Sequence, residues 1–258
     1  MMKGSKLFVF VLLFVTVPML AACQQGVSGG QPAADSAALA ADATTASTVT
    51  SNGGVTSEQA ASKNLQLDPA LAGDADSIKI DSYLYEGLVK IDSAGKPAPA
   101  LSTQWTLSGD QLAYRFELAP GAVFSDGSPV TADAIIASFN RWFDTANPDH
   151  GSGDYQAWQD AFGGFKGETD GDGKPKSSFD GIQKVDNTTV LIQLNRPDPD
   201  LLTKLSKINF AIVVKSGDKF IGSGPYVIGE LNDTHLLLVP NAQYWAGPPT
   251  DNLDFPLK

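Results

Sequence analysis

The segment from Gly121 to Phe143 constrains the fold of this chain more than any other stretch, because a tight turn leads directly into a strongly amphipathic helix. Pro129 keeps its neighbours extended, so the helix begins after it, and the Thr131 hydroxyl is placed to cap the first turn. The apolar residues at helical spacing are Ile135, Phe139, Trp142 and Phe143, and the residues expected on other faces are Ser138, Asn140 and Arg141. Because such a helix needs its apolar stripe covered, the segment predicts a helix docked on a sheet.

Strand patterns on both sides of this segment supply the sheet. Residues 105–118 alternate between apolar and polar side chains around a turn at 108–110, which predicts a β-hairpin. The same pattern predicts hairpins at 182–194 and 227–239. Helices are expected at 78–88, running into a strand, and at 199–207. Helices and hairpins mixed in this way predict an α+β fold.

The acidic balance of the chain excludes several classes of partner. Its 258 residues include 18 basic and 29 acidic side chains, which gives a formal net charge of −11 at pH 7. Nucleic acid and anionic lipid surfaces repel such a chain, so no nucleic-acid partner is expected. The single cysteine, Cys23, excludes an intramolecular disulfide and a multi-cysteine metal site.

The first 23 residues have the pattern of a bacterial lipoprotein signal. Lys3 and Lys6 precede an apolar run that is too short for a comfortable membrane span. The run ends in L-A-A-C at Cys23, which resembles the lipobox, where the cysteine is lipidated and becomes the new N-terminus. The alternatives are an uncleaved anchor or an ordinary signal with an incidental cysteine. We expect a signal peptide at 1–22 and lipidation of Cys23, which would hold the protein on the outer face of a cell membrane.

A polar, small-residue segment separates this leader from the rest of the chain. Residues 23–62 consist mainly of Ala, Ser, Thr, Gly and Gln, and no aromatic residue occurs from 24 to 82. Such a composition cannot bury enough apolar surface to offset the entropy cost of ordering it. We therefore expect a flexible tether at 23–62 and a folded domain at 63–258.

Six short motifs, in a fixed order, carry a family resemblance. They are L-D-P at 67–69, Y-E-G-L-V at 85–89, P-A-P-A-L at 97–101, F-S-D-G-S-P-V-T-A-D at 124–133, G-S-G-P-Y at 222–226 and N-A-Q-Y-W-A-G-P-P at 241–249. This series resembles the extracytoplasmic solute-binding proteins of family 5, which deliver peptides, nickel and related solutes to ABC importers. The resemblance implies the N-terminal lobe of a periplasmic-binding-protein-like fold (type II, cluster C) with mixed β-sheets.

Members of that family continue into a second lobe that completes the solute cleft. This sequence reaches Lys258 at about the first crossing between the lobes. The resemblance therefore implies an incomplete N-terminal lobe, with the second lobe absent.

The resemblance also indicates a solute site. In the family, the cleft is lined by the loop after L-D-P, by an aromatic residue in the long loop after the main helix, and by the turn into a later strand. The residues at these places are Gly73, Asp74, Ala75, Tyr155, Trp158 and Asn209. The alternatives are that Tyr155 and Trp158 only pin a long loop, and that Asp74 is a solvated loop acid.

Catalytic and metal chemistry find little support in the residues. Only His150 and His235 could serve a Ser-His-Asp triad, and no G-x-S-x-G elbow is present. The D-G-D-G-K sequence at 170–174 departs from a calcium loop, because Lys174 occupies a position that needs Asp or Asn, and a solvated turn is favoured. We expect no catalytic residue, no metal ligand and no cofactor, and the chain is not expected to be an enzyme.

The function implied by the resemblance is that of a solute-binding lipoprotein of an ABC importer. It would capture a peptide or related small solute outside the membrane and deliver it to the permease. The expected partners are the solute, the permease and ATPase subunits, and the membrane through the lipid anchor; the chain is expected to be a monomer. The alternatives are a non-transport ligand sensor on the same fold and a secreted hydrolase, which the histidine count disfavours.

Overall fold

The computed structural model describes residues 54–258, so the leader, Cys23 and most of the predicted tether lie outside the described residues. In this range the helices are α1 (Ala75–Leu84), α2 (Ala132–Phe143), α3 (Gln156–Phe162) and α4 (Leu201–Leu205). The strands are β1 (Val55–Ser57), β2 (Glu86–Gly87), β3 (Val89–Ile91), β4 (Pro97–Pro99), β5 (Ser102–Leu107), β6 (Ala113–Leu118), β7 (Phe179–Asp186), β8 (Thr189–Leu194), β9 (Ala211–Ile212), β10 (Val214–Ser216), β11 (Lys219–Ile221), β12 (Tyr226–Leu231), β13 (His235–Pro240) and β14 (Asn252–Pro256). This mixture confirms the predicted α+β class.

The first of two four-stranded sheets has the order β5-β6-β8-β7 and is antiparallel throughout. Its inner face is apolar because Tyr114, Phe116 and Leu118 are buried at every second position of β6. The helix α2 packs on this face against β7 and β8. The predicted hairpins at 105–118 and 182–194 are therefore confirmed as parts of one sheet.

The helix α2 begins where the sequence predicts. Thr131 is its N-cap, and the hydroxyl oxygen accepts the backbone N–H of Ala134 at 3.4 Å. The predicted apolar stripe is buried along its whole length. However, the expectation that Ser138 and Arg141 face away from the core is wrong. Both are buried, and the Ser138 hydroxyl donates to the Val213 carbonyl at 3.1 Å.

The second sheet has the order β1-β14-β13-β12. The strand β1 pairs in parallel with β14, although its three residues are exposed. Further along, the backbone N–H of Ala61 donates to the Pro256 carbonyl at 2.9 Å. The predicted tether boundary at residue 62 is therefore too late, because main-chain hydrogen bonds bring the chain into the fold from Val55.

The helix α1 covers the second sheet and shares a core with it. Ile80 and Leu84 of the helix pack with Leu236, Leu238 and Phe255 of the strands. The chain then leaves α1 directly into β2, which pairs with β9. Two more two-stranded ribbons, β3-β4 and β10-β11, complete the sheets.

The long Gly- and Asp-rich excursion at 147–178 contains the helix α3. Gly153 in this excursion presses on the 3-10 turn Pro69–Leu71, since an added Cβ would lie 2.4 Å from the Leu71 Cδ2 atom. The excursion is thus folded back onto the L-D-P segment. Among the helices of residues 54–258, none has the length and apolar character needed to cross a membrane.

Candidate solute-binding wall

The loop Gly73-Asp74-Ala75 is exposed and fixed at its end by α1. The Asp74 carboxylate accepts the backbone N–H of Ser77 at 2.9 Å and so caps the helix. Hydrogen bonds from the Ser77 side chain and backbone hold the pKa of Asp74 below its usual value, so the carboxylate is ionised at neutral pH. The space in front of Gly73 is open, because no atom lies within 4 Å of where a Cβ would stand. A charged, rigid loop therefore faces solvent.

Asn209 holds this loop from behind. Its amide nitrogen donates to the carbonyls of Pro69 at 2.9 Å and Ala72 at 2.8 Å. The residue is buried in the 3-10 turn Ile208–Phe210. Since both amide hydrogens are used in these bonds, Asn209 positions the loop, and its nitrogen is not presented to a solute.

Tyr155 and Trp158 lie in the hydrophobic core and not at the surface beside the loop Gly73-Asp74-Ala75. Both are only 1% exposed. The Tyr155 hydroxyl donates to the His150 carbonyl at 2.6 Å, and its ring stacks on the His150 ring at 4.2 Å. The Trp158 indole N–H donates to the Gly164 carbonyl at 3.0 Å. Their predicted role as solute contacts is therefore corrected: burial leaves no side-chain surface for a solute, and both residues pin the long loop.

A buried ion pair ties α2 to the L-D-P motif. The Arg141 guanidinium pairs with the Asp68 carboxylate, and both side chains are almost fully buried. Arg141 also donates from Nε to the Asp149 carbonyl at 3.0 Å and lies 4.6 Å from the Phe220 ring centroid. Sequence reasoning missed this pair because Arg141 has the spacing of an exposed residue. The pair fixes the segment that carries the exposed loop.

A second polar link joins the Y-E-G-L-V motif to the N-A-Q-Y-W motif. The Glu86 carboxylate accepts the Tyr244 hydroxyl at 2.8 Å and the Trp245 indole N–H at 2.9 Å. Burial raises the pKa of Glu86, and these hydrogen bonds oppose the rise. Residues far apart in sequence are thus joined at one half-buried carboxylate.

The D-G-D-G-K sequence at 170–174 forms a turn, as the sequence favours. Its first carboxylate, on Asp170, accepts the backbone N–H groups of Asp172 at 2.9 Å and Lys174 at 3.0 Å. Within residues 54–258, no group of three or more His, Cys, Asp or Glu side chains is arranged to hold a metal ion. His150 is buried in the aromatic core, whereas His235 lies between Glu230 and Asp254 on the second sheet.

Comparison with known proteins relates this chain to one family. Residues 96–255 match the sequence profile described as "Bacterial extracellular solute-binding proteins, family 5 Middle". The chain is 33% identical over 198 residues to the periplasmic murein peptide-binding protein MppA of Escherichia coli (strain K12). The aligned region covers 71% of this chain and 35% of that protein. The chain spans between about a third and a half of the length of the curated relatives it matches.

Solved structures show the same fold. The periplasmic binding protein DppA of Helicobacter pylori, associated with an ABC transporter and solved with the peptide STSA, superimposes with a TM-score of 0.67 at 24% identity, over 80% of this chain and 43% of that chain. The Escherichia coli murein tripeptide binding protein MppA gives a TM-score of 0.60 at 27% identity, over 80% and 42% of the two chains. The periplasmic-binding-protein fold predicted from the motifs is confirmed.

Proposed function

The chain belongs to family 5 of the bacterial extracellular solute-binding proteins, and we propose that it binds a peptide or related small solute for an ABC importer. Its role would be capture outside the membrane and delivery to the permease, without catalysis. The relatives support the solute class, since one is named for murein peptides and another was solved with a bound peptide.

One observation carries the assignment of the site: the exposed loop Gly73-Asp74-Ala75 is immobilised from below. Asn209 bonds the carbonyl of Ala72, the residue before the loop, and Asp74 caps α1. A prearranged surface binds more tightly than a mobile one, because the entropy cost of ordering it is already met in folding. The open space at Gly73 allows a solute backbone to approach closely.

The anchoring part of the proposal concerns Cys23, which lies outside the described residues. The basic start, the apolar run and the L-A-A-C ending of the leader favour lipidation of this cysteine. A lipid anchor would keep the binding protein close to its importer in the outer leaflet.

An NMR titration tests the proposed wall. Tri-alanine added at millimolar concentration should shift the backbone amide signals of Gly73, Asp74 and Ala75, while distant amides stay unchanged. Gly73→Trp fills the open space and should remove these shifts. Gly109→Trp is the matched control, since Gly109 also has no atom within 4 Å of its added Cβ. Unchanged loop amides in the parent protein, or a Gly73→Trp protein that still responds, would refute the placement.

A further inference from the structure

The strand β12 is an open edge of the second sheet, and a groove runs along it. Within residues 54–258, β12 pairs with β13 on one side and with no strand on the other. A pocket of about 600 Å³ is lined by all six residues of this strand, Tyr226–Leu231. Successive side chains of a strand point to opposite faces, so a pocket on one face would meet only every second residue. This pocket therefore follows the edge of the strand, and we call it the edge groove.

The register of β12 on β13 determines which backbone groups point into the edge groove. In an antiparallel pair, residues that bond the partner strand alternate with residues that point away from it. Tyr226 lies opposite Pro240, which has no N–H, whereas the Pro225 carbonyl accepts the Asn241 N–H at 2.8 Å. The bonded pairs are thus on either side of Tyr226. The N–H and C=O groups of Tyr226, and of Ile228 two positions along, point to the open edge.

Leu231 points the same way on the far side of a bulge that follows Ile228. The Asn232 N–H donates to the His235 carbonyl at 3.0 Å, which makes Leu231, the residue before it, one that points away from β13. In the described part of the chain, the outward N–H and C=O groups of these three β12 residues have no hydrogen-bond partner. The edge groove therefore offers free backbone donors and acceptors.

The side of the edge groove next to α1 is apolar. Ile228 lies opposite Leu238, and Leu231 lies opposite Leu236. Residues directly opposite each other share a face of the sheet, and Leu236 and Leu238 are buried in the core that α1 covers. Ile228 and Leu231 nevertheless remain 40% and 46% exposed. The other apolar residues of the lining include Leu67, Leu84 and Phe220.

The charged groups of the lining are already compensated. Asp68 is paired with Arg141, and the Glu230 carboxylate accepts the Asn232 side-chain amide at 2.8 Å. Asp81 of α1 does not line the pocket and is neutral at pH 7, because burial raises its pKa to about 8. The edge groove therefore selects by backbone hydrogen bonds and apolar contact. The remaining charged lining residues are adjacent and of opposite sign, Asp218 and Lys219.

We propose that the edge groove is an interaction surface that binds an extended segment of a partner polypeptide as an added antiparallel β-strand. The free groups of Tyr226 and Ile228 lie about 7 Å apart along the strand, which is the two-residue repeat of an extended chain. Antiparallel pairing is the more stable arrangement. It would place every second side chain of the segment over Ile228 and Leu231, so those side chains should be apolar.

The shape of the edge groove favours a single segment over a whole sheet. The bulge in β12 distorts the edge, and the opposite side of the groove is closed by Leu67 and Phe220. A second copy of this chain would have to bring its own four-stranded sheet into that space. The loop Gly73-Asp74-Ala75 does not line the edge groove, so the inference is independent of the proposed function.

An NMR titration of the whole chain with the capped peptide acetyl-Ser-Val-Thr-Ile-Thr-Val-Ser-amide tests the proposal. At about 1 mM peptide, the amide signals of Tyr226, Ile228 and Leu231 should shift, and their hydrogen exchange should slow about 10-fold or more. The Gly73 amide reports the proposed wall separately, so failure at one site is distinguishable from failure at the other. Unchanged exchange at all three β12 amides would overturn the proposal.

N-methylated peptides identify the edge that forms the hydrogen bonds. In antiparallel addition, the N–H groups of the peptide's Val and Ile residues face β12, and those of its Thr residues face away. N-methylation of the Val and Ile residues should therefore abolish the slowed exchange, whereas N-methylation of the Thr residues should preserve it. The same response to both peptides would show that strand pairing does not drive binding and would overturn the proposal.

Two variants at one position locate the added strand. Ile228→Pro removes an outward N–H on an edge strand, where proline is tolerated, and should weaken peptide binding about 5-fold or more. Ile228→Val keeps the N–H and an apolar side chain and should bind as the parent does. Parent-like binding by Ile228→Pro would contradict the assignment. A free chain that is dimeric by light scattering, and monomeric as Ile228→Pro, would assign the edge groove to a second copy and overturn the proposal.

Discussion

The substitution Asp81→Asn should stabilise the protein, and the gain should grow with pH. In the native state the pKa of Asp81 is raised to about 8 from an ordinary value of 3.8. The native state therefore binds this proton more tightly than the unfolded state. Stability from this group is fully present below about pH 4 and is lost as the pH rises towards 8.

The magnitude follows from the pKa difference. At pH 7 the unfolded chain has released the proton, whereas the native state retains it. This difference lowers the free energy of unfolding of the parent protein by about 4 kcal/mol. Asparagine has nearly the same shape and no proton to hold. The variant should therefore unfold with a free energy up to about 4 kcal/mol higher than the parent at pH 7, and with little difference at pH 4.

Urea unfolding followed by tryptophan fluorescence from pH 4 to pH 9 measures this effect. The quantity of interest is the unfolding free energy of the variant minus that of the parent at each pH. Asp180→Asn, at an exposed position of β7, serves as the control and should give a flat, near-zero line. A difference for Asp81→Asn that does not change between pH 4 and pH 8 would refute the electrostatic reasoning.

Three further predictions concern the ion pair, the loop and the anchor. Removing one partner of the buried Arg141–Asp68 pair should lower the unfolding free energy by about 3–5 kcal/mol. In a double-mutant cycle measured by urea unfolding, the double variant Arg141→Met with Asp68→Leu should lose less unfolding free energy than the sum of the two single losses. Asn209→Ala should cost about 2–4 kcal/mol and speed hydrogen exchange at the Gly73 amide, measured by NMR; unchanged exchange would contradict its positioning role. Cys23→Ala should release the protein from membranes on fractionation, and unchanged membrane association would contradict lipidation.

Local signals predicted local structure well. Thr131 and the residues after it specify the start and the buried stripe of α2 without reference to the rest of the chain. The alternation in β6 likewise reports burial on one face. These features depend on neighbours within a few residues, which is why sequence periodicity is sufficient to find them.

The errors concern contacts between distant segments. Arg141 is buried because Asp68 neutralises it, and no local pattern reveals that partner. Trp158 lies in a polar, Gly-rich stretch, yet the chain folds back so that its ring meets the ring of Phe210. The strand β1 has exposed side chains and is held by main-chain pairing, so it leaves no apolar signal. The resemblance indicated the loop after L-D-P as part of a solute site, but no local signal indicated that the Asn209 amide bonds the carbonyls of Pro69 and Ala72 next to it.

The parallel pairing of β1 with β14 has a consequence for the order of folding. The backbone N–H of Gly54 donates to the Asp251 carboxylate across a sequence separation of 197 residues. Closing a loop of that length costs about 5 kcal/mol of chain entropy before the contact contributes anything. The hairpins of the first sheet close over short distances and can form early, whereas β1 must wait for a strand made near the far end of the described chain. The strand β1 therefore cannot pair until β14, Asn252–Pro256, has formed, and the second sheet is completed only at that point.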